Sequence, residues 1–384
     1  MLHKPFTRKL ATVAFFMAGS LCAPALADAP NVQQRLDGAL AEIARDYPAG
    51  GPGLSFYADL GDGLIAKGSF GLANIEWGIP LDSKALHRIG SVSKSVTAIA
   101  ALDLFEQRML SLDAPISTFA PTLPPHMGER SMRQLLSHTS GLAEHAFNEK
   151  LLPHIWRPIP TDKIIEIEAN TRPEFTPGAQ YQYSNFNYVL VAHVLEQVTG
   201  QSFEHFIGSY LGRHNIDGQY DNQDKITPYR AEFYNQLGGE LINTPAVDLS
   251  HVSAAGAILM SLEGMQAWGK KLMEGELANA GLVEIAWAPT KLLDGSQTAY
   301  GLGFNIGQFC GEKVLWHTGA TPGARAVYAF FPNSGRQIVL LSNAYRDESL
   351  YGAAGTILSA VFGLDADADW AESTREQCSL SPAQ

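Results

Sequence analysis

Cysteine, positive charge and long apolar runs are all scarce in this chain. Its 384 residues include three Cys, and 27 Lys and Arg stand against 39 Asp and Glu, a formal charge of -12 at pH 7. A surface of that sign repels polyphosphate backbones and anionic membranes, so nucleic acid is excluded as a main partner. The chain has no Gly-x-Ser-x-Gly elbow, which removes local support for an α/β-hydrolase site. It also has no His-Glu-x-x-His, no tight His or Cys cluster and no phosphate loop, so neither a metal nor another cofactor is expected. The most apolar run, Leu10 to Leu21, is shorter than the roughly 20 residues a spanning helix needs.

That run has a different setting. Lys4, Arg8 and Lys9 precede it and Ala25-Leu26-Ala27 follows as an A-x-A cleavage site, so residues 1–27 read as a signal peptide and the product as periplasmic or secreted. The residues Gly19, Ser20 and Leu21 ahead of Cys22 do not make a lipoprotein site. Removing 27 of 384 residues leaves 357, enough for one domain with a sizeable core and no membrane span. It also leaves 24 Lys and Arg against 39 Asp and Glu. Cys310 and Cys378 survive cleavage, either as a bridge from the last strands to the C-terminal tail or as two buried thiols.

Val32, Leu36, Leu40 and Ile43 recur at helical spacing until Pro48-Ala49-Gly50-Gly51. Leu54 to Leu60 and Leu64 to Phe70, joined by Gly61-Asp62-Gly63, form a hairpin pattern. Leu81 to Arg88 leads into a helix with Val92, Val96, Ile99 and Phe105 on its apolar face. From about residue 110 to 295 the signals are helical and loop-like, with little β-alternation. They include a capping box at Ser131-Met132-Arg133-Gln134 closed by Gly141, a helix through Tyr188, Val191, Leu195 and Val198 closed by Gly200, and another through Met265, Trp268 and Leu272. Glu144 to Pro177, rich in Pro, His and charge, reads as an irregular excursion of the kind that lines clefts. Strands return over Tyr300 to Ile306, Val314 to Thr318, Arg325 to Phe331 and Ile338 to Ser342, before a helix through Leu350, Ile357, Leu358 and Val361.

Strands from both chain ends most simply share one antiparallel sheet flanked by the first and last helices, an α+β architecture. Residues 28–90 and 297–384 then make an α/β lobe and 91–296 a mainly helical insert, within one domain over 28–384. Ser91 lies where the chain crosses between them.

Ser91 and Lys94 stand three residues apart at a helix start, on one face, so the amine can reach the hydroxyl and, if neutral, take its proton. Tyr183-Ser184-Asn185, just before a helix, offers a phenol to relay a proton and an amide to grip a substrate carbonyl. His317-Thr318-Gly319-Ala320 ends a strand where a glycine admits a second backbone, and the Ala320 N–H can join that of Ser91 as an oxyanion hole. Singly, each has a bland equivalent: a solvated lysine, a helix cap over a packed tyrosine, an ordinary sheet histidine. His138, in a turn, is read as structural rather than as part of a Ser-His-Asp triad, and Arg325 as either an exposed strand-end residue or a contact for an acidic substrate terminus.

Together the three motifs resemble the serine β-lactamase-like superfamily, in its branch of class C β-lactamases, D-alanyl-D-alanine carboxypeptidases, D-aminopeptidases and esterases. Leu135-Leu136-Ser137-His138-Thr139-Ser140-Gly141-Leu142, Tyr300-Gly301-Leu302-Gly303-Phe304 and Ser342-Asn343 extend the likeness along nearly all the mature chain. The resemblance implies a β-lactamase/transpeptidase-like fold, Ser91 as acylated nucleophile, Lys94 and Tyr183 as the proton-transfer pair, Asn185, His317 and Thr318 as substrate contacts, and Ser91 and Ala320 as oxyanion hole. His317 stands where class C β-lactamases carry lysine, and His87-Arg88 also departs from their pattern. The expected activity is therefore an exported serine hydrolase of the Ser-x-x-Lys type acting on a D-amino-acid peptide or a small ester. A β-lactamase is the alternative in the same chemistry, and a non-catalytic binding protein the alternative outside it.

Overall fold

The computed structural model describes residues 29–146, 148–346, 350–364 and 368–378. The signal peptide expected over residues 1–27, with its cleavage site near Ala27, lies outside the described residues. Six strands form the main sheet: β1 (Leu54–Asp59), β2 (Ile65–Phe70), β3 (Asn305–Phe309), β4 (Glu312–Thr321), β5 (Ala324–Phe330) and β6 (Gln337–Ser342). Their order is β3-β4-β5-β6-β1-β2, antiparallel throughout. The two chain ends meet in the register Leu54↔Ser342 to Asp59↔Gln337, as the strand pattern at both termini implies.

The sheet is covered on both faces, and the period-two alternation of its strands sorts side chains into two cores. Phe56, Ala58, Val327, Ala329, Ile338 and Leu340 face α1 (Ala29–Ala44) and the last helix (Leu350–Phe362). Tyr57, Ala326, Tyr328, Phe330, Val339 and Leu341 face the helical body of the protein. Burial of each such side chain is worth roughly 1.5–3 kcal/mol, so the sheet joins the two layers energetically as well as in space.

At the centre of the second core runs α2 (Ser93–Glu106), buried on every side from Ser93 to Leu102 rather than along one stripe. Its polar residues are bonded instead of solvated: Ser95 Oγ donates to the Gly303 carbonyl at 2.5 Å and Thr97 Oγ1 to that of Ala254 at 3.0 Å. Beside it packs α3 (Asn185–Thr199), closed by Gly200 in the left-handed conformation. The capping box at Ser131 forms with both of its bonds.

The segment 110–295 is less purely helical than its pattern suggests. Gly218–Tyr220 and Ile258–Met260 form a small sheet with His87–Arg88, while Tyr234–Leu237 lies between Glu240–Asn243 on one side and Ala344–Tyr345 on the other. Strands of two to four residues are too short to show a period, and they exist only because a partner strand lies beside them. The excursion after Glu144 contains a helix, Thr161–Glu168. Tyr300, Leu302 and Phe304 alternate like a strand but belong to a loop whose Gly301 N–H turns back to the Phe304 carbonyl; β3 starts only at Asn305.

Cys310 and Cys378 are joined, with Cα atoms 5.7 Å apart. Gln308 N–H donates to the Ala371 carbonyl at 2.8 Å and Cys310 N–H to Ser373 Oγ at 3.0 Å, so the tail lies along the edge of β3 and shields it from pairing with other chains. The bridge closes a 68-residue separation. Its loss by Cys310→Ser with Cys378→Ser should lower unfolding free energy by about 2–4 kcal/mol in denaturant titration. Alkylation of the unfolded protein without reductant should leave both positions unlabelled; labelling would show that the bridge does not form.

Candidate active site

Ser91 falls in a single 3₁₀ turn, Gly90–Val92, that runs directly into α2 and places Lys94 one turn further on. Lys94 has no exposed surface. Its Nζ donates to Ser91 Oγ at 3.0 Å, Asn185 Oδ1 at 2.8 Å and the Ala255 carbonyl at 2.9 Å. Burial disfavours the ammonium strongly, the Glu144 carboxylate opposes this, and the balance brings the amine down to about 7. Three acceptors satisfy the charged form. In the neutral form two hydrogens can stay on Asn185 and Ala255, leaving the lone pair for the Ser91 hydroxyl.

Tyr183 comes from the segment just before α3. Its ring lies 4.7 Å from Lys94 Nζ, and the Ser91 side chain is near enough to act on its phenol. Burial pushes that phenol well above its usual range, the Ser91 side chain only partly countering it, so it is protonated at neutral pH. Ser91, Lys94 and Tyr183 are thus brought together, from segments separated by some ninety residues of chain.

The two histidines around them are neutral. His317 is buried and held at about 3 by burial and the nearby Lys94 charge, against a bond to the Thr318 carbonyl. Nδ1 donates to that carbonyl at 2.6 Å and Nε2 therefore accepts from Tyr300 Oη at 3.2 Å. Both ring nitrogens are engaged inside the protein, with Thr318 half-buried beside them and Ala320 exposed. His138, also buried, is kept neutral by burial, Lys94 and His317.

The backbone of β4 approaches the Ser91 turn with no room for side chains. A Cβ on Gly319 would stand 1.9 Å from the Ile89 carbonyl oxygen, and one on Gly90, itself at φ +52°, would stand 2.7 Å from Ala320 N. The N–H groups of Ser91 and Ala320 therefore belong to touching segments, the arrangement a two-donor oxyanion site requires.

Asn185 is the first residue of α3, and Ser184, at the N-cap, makes no capping bond. The cap is Glu144: its Oε2 accepts from Asn185 N at 2.7 Å and Asn185 Nδ2 at 2.9 Å, while Oε1 accepts from the N–H groups of His145 and Ala146. Burial alone would raise this carboxyl, but the His145 ring and the Asn185 and Ala146 N–H groups hold it at about 2, a permanent anion at a helix N-terminus. Sequence reasoning marked Glu144 only as the start of an excursion and missed the Ala255 carbonyl. A lone acid in a loop carries no periodic signal, and a main-chain oxygen carries none at all. Arg325 stacks on Tyr345 at 4.0 Å and bonds the Arg346 carbonyl, apart from the serine. Among the described residues no group of three or more His, Cys, Asp or Glu side chains is placed to hold a metal ion.

Comparison with known proteins fits this geometry. The chain is 27% identical over 293 residues to the penicillin-binding protein PbpX of Bacillus subtilis strain 168, covering 75% of this chain and 69% of that one. It is 26% identical over 337 residues to a D-aminopeptidase of Gluconobacter oxydans, covering 86% of this chain but 62% of the longer enzyme. A D-amino acid amidase from Ochrobactrum anthropi superposes with a TM-score of 0.71 at 20% identity, over 86% of this chain and 98% of the amidase, which establishes the common fold. The Beta-lactamase family model matches residues 40–361. With that match across most of its length, the chain belongs to the beta-lactamase family.

Proposed function

We propose that this protein is an exported serine hydrolase that opens an amide or ester bond through an acyl-enzyme on Ser91. The observation that carries the reading is Lys94, an amine buried to a pKa of about 7 with Ser91 Oγ as one of its three partners. The phenol beside it stays protonated far above that range, so the lysine is the base and Tyr183 the relay. Neutral Lys94 takes the Ser91 proton as Oγ attacks the carbonyl carbon, and the N–H groups of Ser91 and Ala320 hold the resulting oxyanion. As the bond to the leaving group breaks, the proton passes from Lys94 through Tyr183 to the departing nitrogen or oxygen. Water then attacks the ester on Ser91, its proton returns by the same route, and Ser91 departs as a hydroxyl. The second hydrogen on Asn185 Nδ2, beyond the one given to Glu144, is available to a substrate carbonyl.

The charges favour one substrate class. Glu144 is anionic beside Asn185, and His317, where a cation would hold a carboxylate, is neutral. A substrate with a free ammonium group near its scissile bond suits this site better than a β-lactam or a peptide carboxylate. The relatives named D-aminopeptidase and D-amino acid amidase support an amide or peptide of a D-amino acid.

Ser91→Ala should abolish turnover of D-alanine p-nitroanilide with folding intact, and Lys94→Met or Tyr183→Phe should slow acylation by about a hundredfold or more. A wild-type rate in any of the three removes that residue from its role. Because the base must be neutral, kcat/KM for N-acetyl-D-alanine p-nitroanilide, which has no amine to titrate, should rise with pH through a single ionisation near 7; His317, at about 3, and Glu144, at about 2, contribute nothing there, and a flat profile from pH 5.5 to 8.5 would contradict the lysine assignment. Glu144→Gln should reduce the preference for D-alanine p-nitroanilide over its N-acetyl form by roughly tenfold. An unchanged ratio, or faster cleavage of a chromogenic cephalosporin than of either anilide, would point to an anionic substrate instead.

A further inference from the structure

The turn His138–Gly141 plays no part in that mechanism, yet it touches Tyr183, Ser184 and the chain on both sides of them. Its backbone carbonyls accept from three points of the incoming chain: His138 O from Gln182 N at 2.9 Å, Thr139 O from Gly178 N at 2.7 Å, and Gly141 O from Glu174 N at 2.8 Å. The fit leaves no slack, since a Cβ on Gly141 would lie 2.2 Å from the Phe175 carbonyl oxygen. Two residues further, the Ala143 carbonyl accepts from Ser184 Oγ and Glu144 takes Asn185.

Within this turn the His138 ring is the side chain set against Tyr183. The rings lie 4.4 Å apart, inclined at 35°. Nδ1 accepts from the Ser184 backbone N–H at 3.2 Å and faces Asn187 Nδ2 at 3.2 Å, while Asn187 Oδ1 is held by Ser140 Oγ. Because Nδ1 accepts, the proton sits on Nε2, which is buried without a partner among the described residues. The residue also holds a left-handed backbone, φ 57°, which histidine adopts more readily than most side chains. An orphaned buried N–H is what stability alone would remove, and such groups gather where geometry serves chemistry.

We infer that His138 is a positioning residue: through its bond to the Ser184 N–H and its stacking on Tyr183, it holds the phenol where it hands a proton to the leaving group. This rests on the proposed acyl-transfer reading, and it has a consequence that general destabilisation lacks. An anilide must receive a proton to depart, whereas p-nitrophenolate departs without one. A displaced Tyr183 therefore slows the anilide more than the ester.

The test compares hydrolysis of D-alanine p-nitroanilide and a D-alanine p-nitrophenyl ester by wild type, His138→Gly, His138→Leu and His138→Asn. Glycine removes the ring while accepting the left-handed backbone, leucine keeps volume without an acceptor, and asparagine restores an acceptor near Nδ1 and tolerates φ > 0. The anilide-to-ester ratio of kcat/KM, which reads acylation and not the deacylation the two substrates share, should fall about tenfold or more in the glycine and leucine variants, return to within about threefold of wild type with asparagine, and not fall further when His138→Gly is added to Tyr183→Phe. Equal losses on both substrates, or the same additional loss in the Tyr183→Phe background, would reduce His138 to a structural residue. Ser91→Ala runs alongside: if it keeps the wild-type rates, the hydrolase reading fails, and His138 is then judged by hydrogen exchange alone. The Ser184 amide should exchange roughly tenfold faster in whichever deletion variant folds and recover with asparagine; unchanged protection overturns the positioning role whatever the turnover.

Discussion

An amine without exposed surface, ringed by three oxygen acceptors, governs how the rest of this molecule is arranged. Taking an ammonium out of water is costly by several kcal/mol unless every proton finds a partner or the charge is given up. Lys94 stands at the point of balance between those two outcomes, because burial pulls one way and the Glu144 carboxylate the other. Holding it there requires α2 to be enclosed on all sides, which neither the sheet layer nor the helical layer achieves alone. The partners of Lys94 accordingly come from the 3₁₀ turn Gly90–Val92 that leads into its helix, from the start of α3 and from the 3₁₀ turn Ser253–Ala255.

Around that amine the titratable groups are spread far apart. Tyr183 and Tyr300 are driven upward, His138 and His317 downward, and Glu144 is fixed as an anion. One environment does all of this, since burial destabilises whichever form is charged: it keeps phenols protonated and imidazoles bare. Glu144 escapes the trend through hydrogen bonds donated to its carboxylate, a local exception that leaves a negative charge beside Asn185. The pocket thus combines one group able to exchange a proton near neutral pH with a fixed field around it.

Much of the frame was legible in the residue order. The helical spacing of Val32 to Ile43, the Gly61-Asp62-Gly63 hairpin and the apolar runs Arg325 to Phe331 and Ile338 to Ser342 correspond to α1, β1, β2, β5 and β6. Such elements are readable because each repeats a period long enough to exceed chance. The failures share a cause. Strands at Gly218–Tyr220 and Ile258–Met260 are too short to carry a period, and the alternation of Tyr300, Leu302 and Phe304 reflects burial within a loop instead of a pleat.

Residue order by itself determined the chemical inventory: a serine and a lysine one helical turn apart, a tyrosine two residues before an asparagine, and a glycine where two backbones must touch. These are local relations, set by helix geometry and by the space a Cβ occupies. Tertiary structure alone decided that the amine is buried, that a loop carboxylate caps α3 and a main-chain carbonyl takes a lysine proton, and that His138 turns one nitrogen to the tyrosine segment and leaves the other bare. Protonation depends on dielectric and on distances between residues remote in sequence, and neither exists until the chain has packed.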